Sequence, residues 1–245
     1  MKIIALTRYS RKGASSRMRF HIFFQELLNQ GFTIQEKNLL DDEYLKNMYS
    51  GNKKNFIYLF QRYLRRLLIL GKVFNYDLIW LEKELFPNFP AIFERVLSMI
   101  GIKVVVDFDD AVFHNYDQIR TLNPIKLALK NKIDVVMRTS NLVVCGNSYI
   151  AERAKDSGAQ NVCVIPTIVD IDKYRVKLTN NDKPIIGWIG TPVTDHSLDI
   201  VIPALEELSL KYDFSVMLIG SDRKISNINT INIPWSEENE AKNIE

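Results

Sequence analysis

The sequence predicts an α/β protein of two domains, each built on a parallel sheet wrapped by helices. Three observations predict it. Short β-branched runs alternate with helical stretches as far as Tyr174. One of those runs, KVVVDFDDAVF from Lys103 to Phe113, passes straight into a cluster of carboxylates. After a polar interval the same rhythm restarts in PIIGWIGTPVTDHSLDI, from Pro184 to Ile200. Strands that alternate with helices pair in parallel, because the returning helix brings the chain back to the same edge.

The strands expected in the first domain are Lys2–Leu6, Phe32–Glu36, Asp77–Leu81, Lys103–Phe108, Asn141–Cys145 and Val162–Ile165. Between the first two, Phe20, Phe23, Phe24, Leu27 and Leu28 fall at helical spacing and Gly31 supplies a stop. Before Ala151 and Ala154, Asn147 or Ser148 can cap a helix that runs to Gly158. The interval Tyr174–Lys183, with its KLTNNDK, is polar and unpatterned, and reads as the interdomain linker. The domains are therefore expected at 1–175 and 183–245. In the second, Ile185–Trp188 and Phe214–Ile219 read as strands, with a helix near Leu198–Leu210. Pro203 lies inside that helical pattern, where an interior proline costs about 3 kcal/mol, so the helix is expected to begin late. A whole domain takes about 100–150 residues, so the second is expected to be incomplete. An incomplete domain exposes strand edges, which makes an oligomeric or aggregation-prone chain the expectation.

Composition narrows the function classes. The 245 residues are 47% hydrophobic and 25% charged, as in an ordinary globular protein. A net charge of +3 gives no reason to expect nucleic acid as a partner. No segment approaches the roughly 20 apolar residues of a membrane span. The start, MKIIALTRYSRKG, is too short in its apolar part for a signal sequence and reads as a first strand, so a cytoplasmic location is expected. Cys145 and Cys163 stand alone in apolar runs, without metal-ligand spacing, and are expected to be buried thiols; no metal is expected.

Ligands of open parallel sheets bind outside the carboxyl ends of the strands. Asp109 and Asp110 fall at such an end, with Asp107 close by. Acids there can orient a sugar hydroxyl, act as a base or hold a divalent cation; alternatively, one of them caps the next turn. Crowded carboxylates repel, which favours a functional reason for three in four positions. Gly190 and Thr191 occupy the matching place in the second domain, where glycine lets backbone approach a phosphate, or simply makes a tight turn. The loop SRKGASSRMRF offers Gly13, Ser15, Ser16, Arg17 and Arg19 to an anionic or sugar ligand, or is a solvated basic loop. Finally, Lys53–Lys72 reads as a basic amphipathic helix: Phe56, Leu59, Phe60, Tyr63, Leu64 and Leu67 form a stripe beside Arg62, Arg65 and Arg66. Such a helix packs on the sheet with its polar face solvated, or attaches to an anionic membrane surface.

Taken in order, GASSRMR, IWLEKELFP, VVVDFDDAVF, VVCGNSYIAERA, VIPTIVDIDKY and IGWIGTPVTDHSLDIVIPALEEL resemble a glycosyltransferase of the GT-B fold, in its family-4 (group 1) class. The resemblance implies two Rossmann-like domains, with the acceptor on the first and a nucleotide-sugar donor mostly on the second. It implies transfer with retention of anomeric configuration, with no cofactor beyond the co-substrate and without an essential metal. It also implies a role in polysaccharide biosynthesis with a glycan or lipid-linked acceptor, so a peripheral position at the inner membrane face would fit.

Carried over by position, Asp109 and Asp110 match the acidic segment lining the cleft, and Gly190 and Thr191 the loop approaching the donor phosphates. Gly13 and Arg17 match the first loop near acceptor and phosphate, and Lys83 and Glu84 a Lys-Glu pair after the third strand. The Arg and Lys that clamp the diphosphate in that family, and its later pair of glutamates, have no counterpart here. A catalytically incompetent remnant that binds a glycan or a partner is therefore the alternative. A glycoside hydrolase would need two carboxylates roughly 5–10 Å apart across a sugar, which adjacent Asp109 and Asp110 do not suggest.

Overall fold

A computed structural model describes residues 1–50, 55–118, 127–174 and 183–244. The chain divides into two compact units, Met1–Leu45 with Lys54–Val169 and Lys46–Lys53 with Asp170–Glu245. Most of the expected linker, residues 175–182, lies outside the described residues. The short turn Ile171–Lys173 and Tyr174 go with the second unit, where the Tyr174 hydroxyl donates to Glu240 Oε1 at 2.8 Å.

The first unit carries a six-stranded sheet in the order β2-β1-β3-β4-β5-β6, parallel throughout. Its strands are β1 (Lys2–Leu6), β2 (Thr33–Glu36), β3 (Leu78–Glu82), β4 (Val104–Phe108), β5 (Leu142–Cys145) and β6 (Val162–Val164). Each lies within one residue of its sequence expectation. The chain moves from β1 to β2 in one direction and then steps the other way from β3 to β6. Right-handed crossovers therefore place α2 (Ile22–Asn29) on one face. They place α4 (Phe56–Leu70), α5 (Ile92–Met99), α7 (Lys132–Thr139) and α8 (Ser148–Asp156) on the other, and the short helices α3 (Asp42–Tyr49) and α6 (His114–Asp117) follow β2 and β4 in the chain.

The core sits on that second face, where Leu6, Leu81, Val106 and Phe108 meet Leu97, Val136 and Ala154. Strand alternation sends Val104, Val106 and Phe108 into this core and turns Val105 and Asp107 to the α2 face, into a groove of about 360 Å³ beside Phe23 and Trp80. Asn147 caps α8, its Oδ1 accepting from the Ile150 amide at 3.0 Å, and Gly158 ends it at φ +87°. Both cysteines are free thiols. Cys145 is buried, which pushes its thiol up to about 11, whereas Cys163 is only half-buried because β6 is an edge strand.

Helix α4 departs from its expected orientation. Leu59 and Tyr63 turn inward, but Phe56, Phe60, Leu64 and Leu67 face solvent. Arg66 is fully buried instead: its guanidinium donates to the Thr7 carbonyl at 2.7 Å and the Lys37 carbonyl at 3.0 Å. Arg62 Nε donates to the Leu39 carbonyl at 2.6 Å. The loops after β1 and β2 leave carbonyls under this helix, and buried carbonyls need donors. The arginines supply them, so the apolar residues are left outside. Among the described residues no helix is long and apolar enough to cross a membrane.

The second unit is built on a parallel sheet in the order β7-β8-β9, formed by β7 (Ile185–Ile189), β8 (Ser215–Ile219) and β9 (Asn229–Ile233). A 3-10 helix, Asp195–Ile200, leads into α9 (Ile202–Ser209). Pro203 falls in the first turn of α9, where its missing N–H has no partner to lose. Leu198, Leu205, Phe214, Val216 and Leu218 form a separate core. Both units are α/β with Rossmann-like parallel sheets, the architecture that the GT-B resemblance implies.

Candidate functional site

Because the first sheet is parallel, β1, β3, β4 and β5 deliver their carboxyl ends to one edge, and the loops that follow them meet there. Lys83 is the centre of that edge. It leaves β3 in the left-handed region, at φ +62°, a conformation that costs a side-chain-bearing residue roughly 1–2 kcal/mol. Its ammonium lies 2.8 Å from Asp109 Oδ1, 2.9 Å from Asp110 Oδ2 and 3.3 Å from Ser15 Oγ. Lys83 is almost entirely enclosed and Asp109 nearly so, whereas the Asp110 side chain remains 66% exposed. Two glycines make room. A Cβ on Gly13 would lie 2.5 Å from Tyr9 Cβ, and one on Gly146, just past β5, would lie 3.2 Å from Asp109 Cα.

The charges are tuned by their mutual contacts. Burial pushes the Asp109 carboxyl up, but the Lys83 ammonium and hydrogen bonds from Lys83 and Ser15 outweigh it and hold the group below its usual 3.8. Burial pulls the Lys83 ammonium down, and Asp109, Asp110 and Glu82 together more than restore it, leaving it above 10.5. Glu82, the last residue of β3, is fully buried, and burial holds its carboxyl up. One of its oxygens accepts from the Arg8 amide at 2.8 Å and the Ser16 hydroxyl at 2.6 Å, which ties the first loop to β3. The result is a pair of carboxylates backed by a fixed cation, Asp109 largely enclosed and Asp110 open to solvent.

The other expected residues fall elsewhere. Asp107 does not belong to the carboxylate cluster: it faces the opposite side of the sheet, where Arg19 grips it at 2.8 and 3.2 Å and burial pushes it up to about 6. Strand alternation separates it from Asp109. Glu84 is also engaged away from the Lys83 cluster, buried against Lys132 and accepting from the Tyr116 hydroxyl at 2.8 Å. Arg17 opens a single π-helical turn, Arg17–His21, between α1 (Ala14–Ser16) and α2, and its amide donates to the Gly13 carbonyl at 2.9 Å. Such turns are frequent at functional sites. Ser15, offered by the first loop, does reach the cluster through Lys83, whereas Arg8, whose guanidinium lies 3.7 Å from Glu84, was not singled out; that partnership spans a long stretch of sequence.

In the second unit, Gly190 follows β7 and Gly220 follows β8. A Cβ on Gly190 would lie 2.3 Å from the Trp188 ring, and one on Gly220, at φ +87°, would lie 2.2 Å from the Gly190 carbonyl oxygen. These glycines let the two turns pack together. The Thr191 amide, expected to face a phosphate, donates instead to the Thr194 hydroxyl at 3.1 Å. Arg223 is the cation that sequence reasoning missed at this edge. Its guanidinium donates to the Asp195 carbonyl at 3.2 Å and pairs with Asp199, while Ser221 Oγ donates to Asp195 Oδ2 at 3.1 Å. The run GSDRK directly after a strand was the available signal.

No family model matches the sequence, and no curated protein matches it. Solved structures do resemble it. MnaA from S. aureus, solved with UDP, matches with a TM-score of 0.62 at 13% identity, over 100% of this chain and 71% of that one. The UDP-GlcNAc 2-epimerase of Neisseria meningitidis bound to UDP-GlcNAc matches with a TM-score of 0.57 at 12% identity, over 97% and 73%. An alpha-glucosyltransferase in complex with UDP and DNA matches with a TM-score of 0.55 at 13% identity, over 98% and 68%. At these identities the similarity establishes the fold.

Proposed function

We propose that the protein is a glycosyltransferase that moves a sugar from a nucleotide-sugar donor to a hydroxyl of a glycan or lipid-linked acceptor, with retention. The observation that carries this reading is the Lys83–Asp109–Asp110 cluster, held on a left-handed backbone at the carboxyl edge of the first sheet. Two carboxylates there accept hydrogen bonds from sugar hydroxyls. Asp109 is too weak a base to keep a proton near neutrality, so its part is to align the acceptor. The acceptor oxygen bonds to the anomeric carbon as the bond from that carbon to the diphosphate oxygen breaks. The nucleoside diphosphate leaves with the electron pair and takes up the hydroxyl proton. In the second unit, Arg223 and the hydroxyls of Thr191, Thr194 and Ser221 are groups of the kind a diphosphate needs, and on binding it they would exchange their present partners, Asp195, Asp199 and the Thr191 carbonyl, for phosphate oxygens. Solved structures of the same fold hold UDP or a UDP-sugar, which supports a uridine nucleotide as the first ligand to try.

Thermal unfolding with and without UDP tests the reading. A ligand at 100 times its dissociation constant stabilises by about 2.7 kcal/mol, so UDP should raise the midpoint, and Arg223→Gln should abolish the shift. If neither UDP nor any other nucleoside diphosphate moves the midpoint, a donor-independent binding role replaces this one.

A further inference from the structure

The outward face of α4 is apolar where a helix on a soluble sheet is ordinarily polar. Phe56, Ile57, Phe60, Leu64, Leu67 and Leu68 are between 41% and 81% exposed. At 3.6 residues per turn they share an arc of about 120°. The inward arc is filled by Arg62, Arg66, Tyr58 and Tyr63, whose polar atoms bind backbone carbonyls and Asp41. This inversion is held in place by those hydrogen bonds, so the helix cannot roll to hide its apolar side.

Helix α5 carries exposed apolar residues too. On α5 and just past it, Ile92, Val96, Met99 and Ile100 are 45–84% exposed. Ring contacts bridge the two helices: Tyr63 to Phe86 at 5.4 Å, then Phe86 to Phe93 at 5.0 Å. Monomeric proteins rarely leave so large an apolar surface bare.

Charge identifies the partner. The exposed cations Arg65, Lys72, Arg95 and Lys103 flank this surface in sequence. Of the four acids between Phe56 and Lys103, Glu82, Glu84 and Glu94 are buried, and only Asp77 is exposed, where it accepts from the Lys2 amide. A bare apolar face flanked by these cations, with Asp77 exposed but bound to the Lys2 amide and Asp41 bound to Tyr58 and Arg62, is complementary to an anionic lipid surface, whose acyl boundary takes the aromatic and aliphatic groups while its headgroups meet the cations.

We infer that the α4–α5 face docks the protein flat on an anionic bilayer. This attachment needs no donor or acceptor, and it is read without either, so it stands or falls separately from the proposed transferase activity.

Flotation of the full chain with vesicles tests it. The chain should float with vesicles of equal parts phosphatidylglycerol and phosphatidylcholine, and stay behind with phosphatidylcholine alone. The triple variant Phe60→Ser/Leu64→Ser/Leu68→Ser, altered only at exposed positions, should lose about tenfold or more of that partitioning. Arg65→Gln/Lys72→Gln should weaken it and reduce its sensitivity to salt. Circular dichroism reports whether each variant is folded. Failure of the wild type to float with anionic vesicles overturns the inference, as does equal flotation of the serine variant. A serine variant that merely converts a dimer to a monomer in the ultracentrifuge, with flotation unchanged, assigns the face to a second copy of the chain and overturns it too.

Discussion

Lys83 and Asp109 fix each other's charge, and this gives the site a definite pH signature. Asp109 is held below 3.8, so its contribution to stability is fully present above that value and is lost as pH falls through the lowered folded one. Lys83 is held above 10.5, so its contribution is present below that value and is lost as pH rises through the raised folded one. Asp109→Asn should therefore flatten the acid limb of a plot of urea midpoint against pH and leave a buried, under-compensated ammonium. Removing one partner of a buried pair costs roughly 3–5 kcal/mol near neutrality. An unchanged acid limb would show that Asp109 does not bear this charge in the folded protein.

At this scale the sequence exposed half of the site. Asp109 and Asp110 were legible because they follow an apolar strand directly. Asp107, one residue before Asp109's near neighbour Phe108, was grouped with them by spacing alone, and the pleat sends it to the other face. The partnership of Lys83 with Ser15 joins positions 68 apart, a distance over which a single sequence carries no pairing signal.

At the scale of elements, periodicity located the strands to within a residue because each is a short run rich in apolar or β-branched residues bounded by polar turns, even where, as in β2 and β7, much of the strand is exposed. It missed β9, whose sequence NTINI alternates polar and apolar residues too weakly to stand out. It also placed α4 correctly while misjudging its rotation. A stripe of apolar residues ordinarily faces the core, but here the carbonyls of Thr7, Lys37 and Leu39 had to be satisfied, and only the arginine face can do that. Two neighbouring arginines should then behave oppositely. Arg66→Ala removes a buried guanidinium and strands two carbonyls, and should cost about 2–4 kcal/mol in urea unfolding. Arg65→Ala, on the exposed side, should stay within about 0.5 kcal/mol. Equal effects at the two positions would mean that α4 does not bury Arg66 in preference to Arg65.

At the scale of the whole molecule, the two units have separate cores and separate sheets, and each presents polar side chains beyond the carboxyl ends of its strands. The two edges differ in chemistry. The first holds a cation trapped between carboxylates, suited to neutral hydroxyl groups; the second holds Arg223 beside threonine and serine hydroxyls, suited to phosphate oxygens. If the units divide the work in this way, a nucleoside diphosphate alone should engage the second unit. Hydrogen exchange with and without UDP reads this directly, because ordering a loop slows the exchange of its amides. Protection is expected across 190–194 and 220–223, with the loops at 8–16, 83–84 and 109–110 unchanged. The Thr191 amide is informative, since it already donates to Thr194: to bind phosphate it must first leave that hydroxyl, so its protection should change less than that of residues 220–223. Protection confined to the first unit would reverse the assignment, making the Lys83 cluster the nucleotide site and leaving Arg223 a structural ion pair with Asp199.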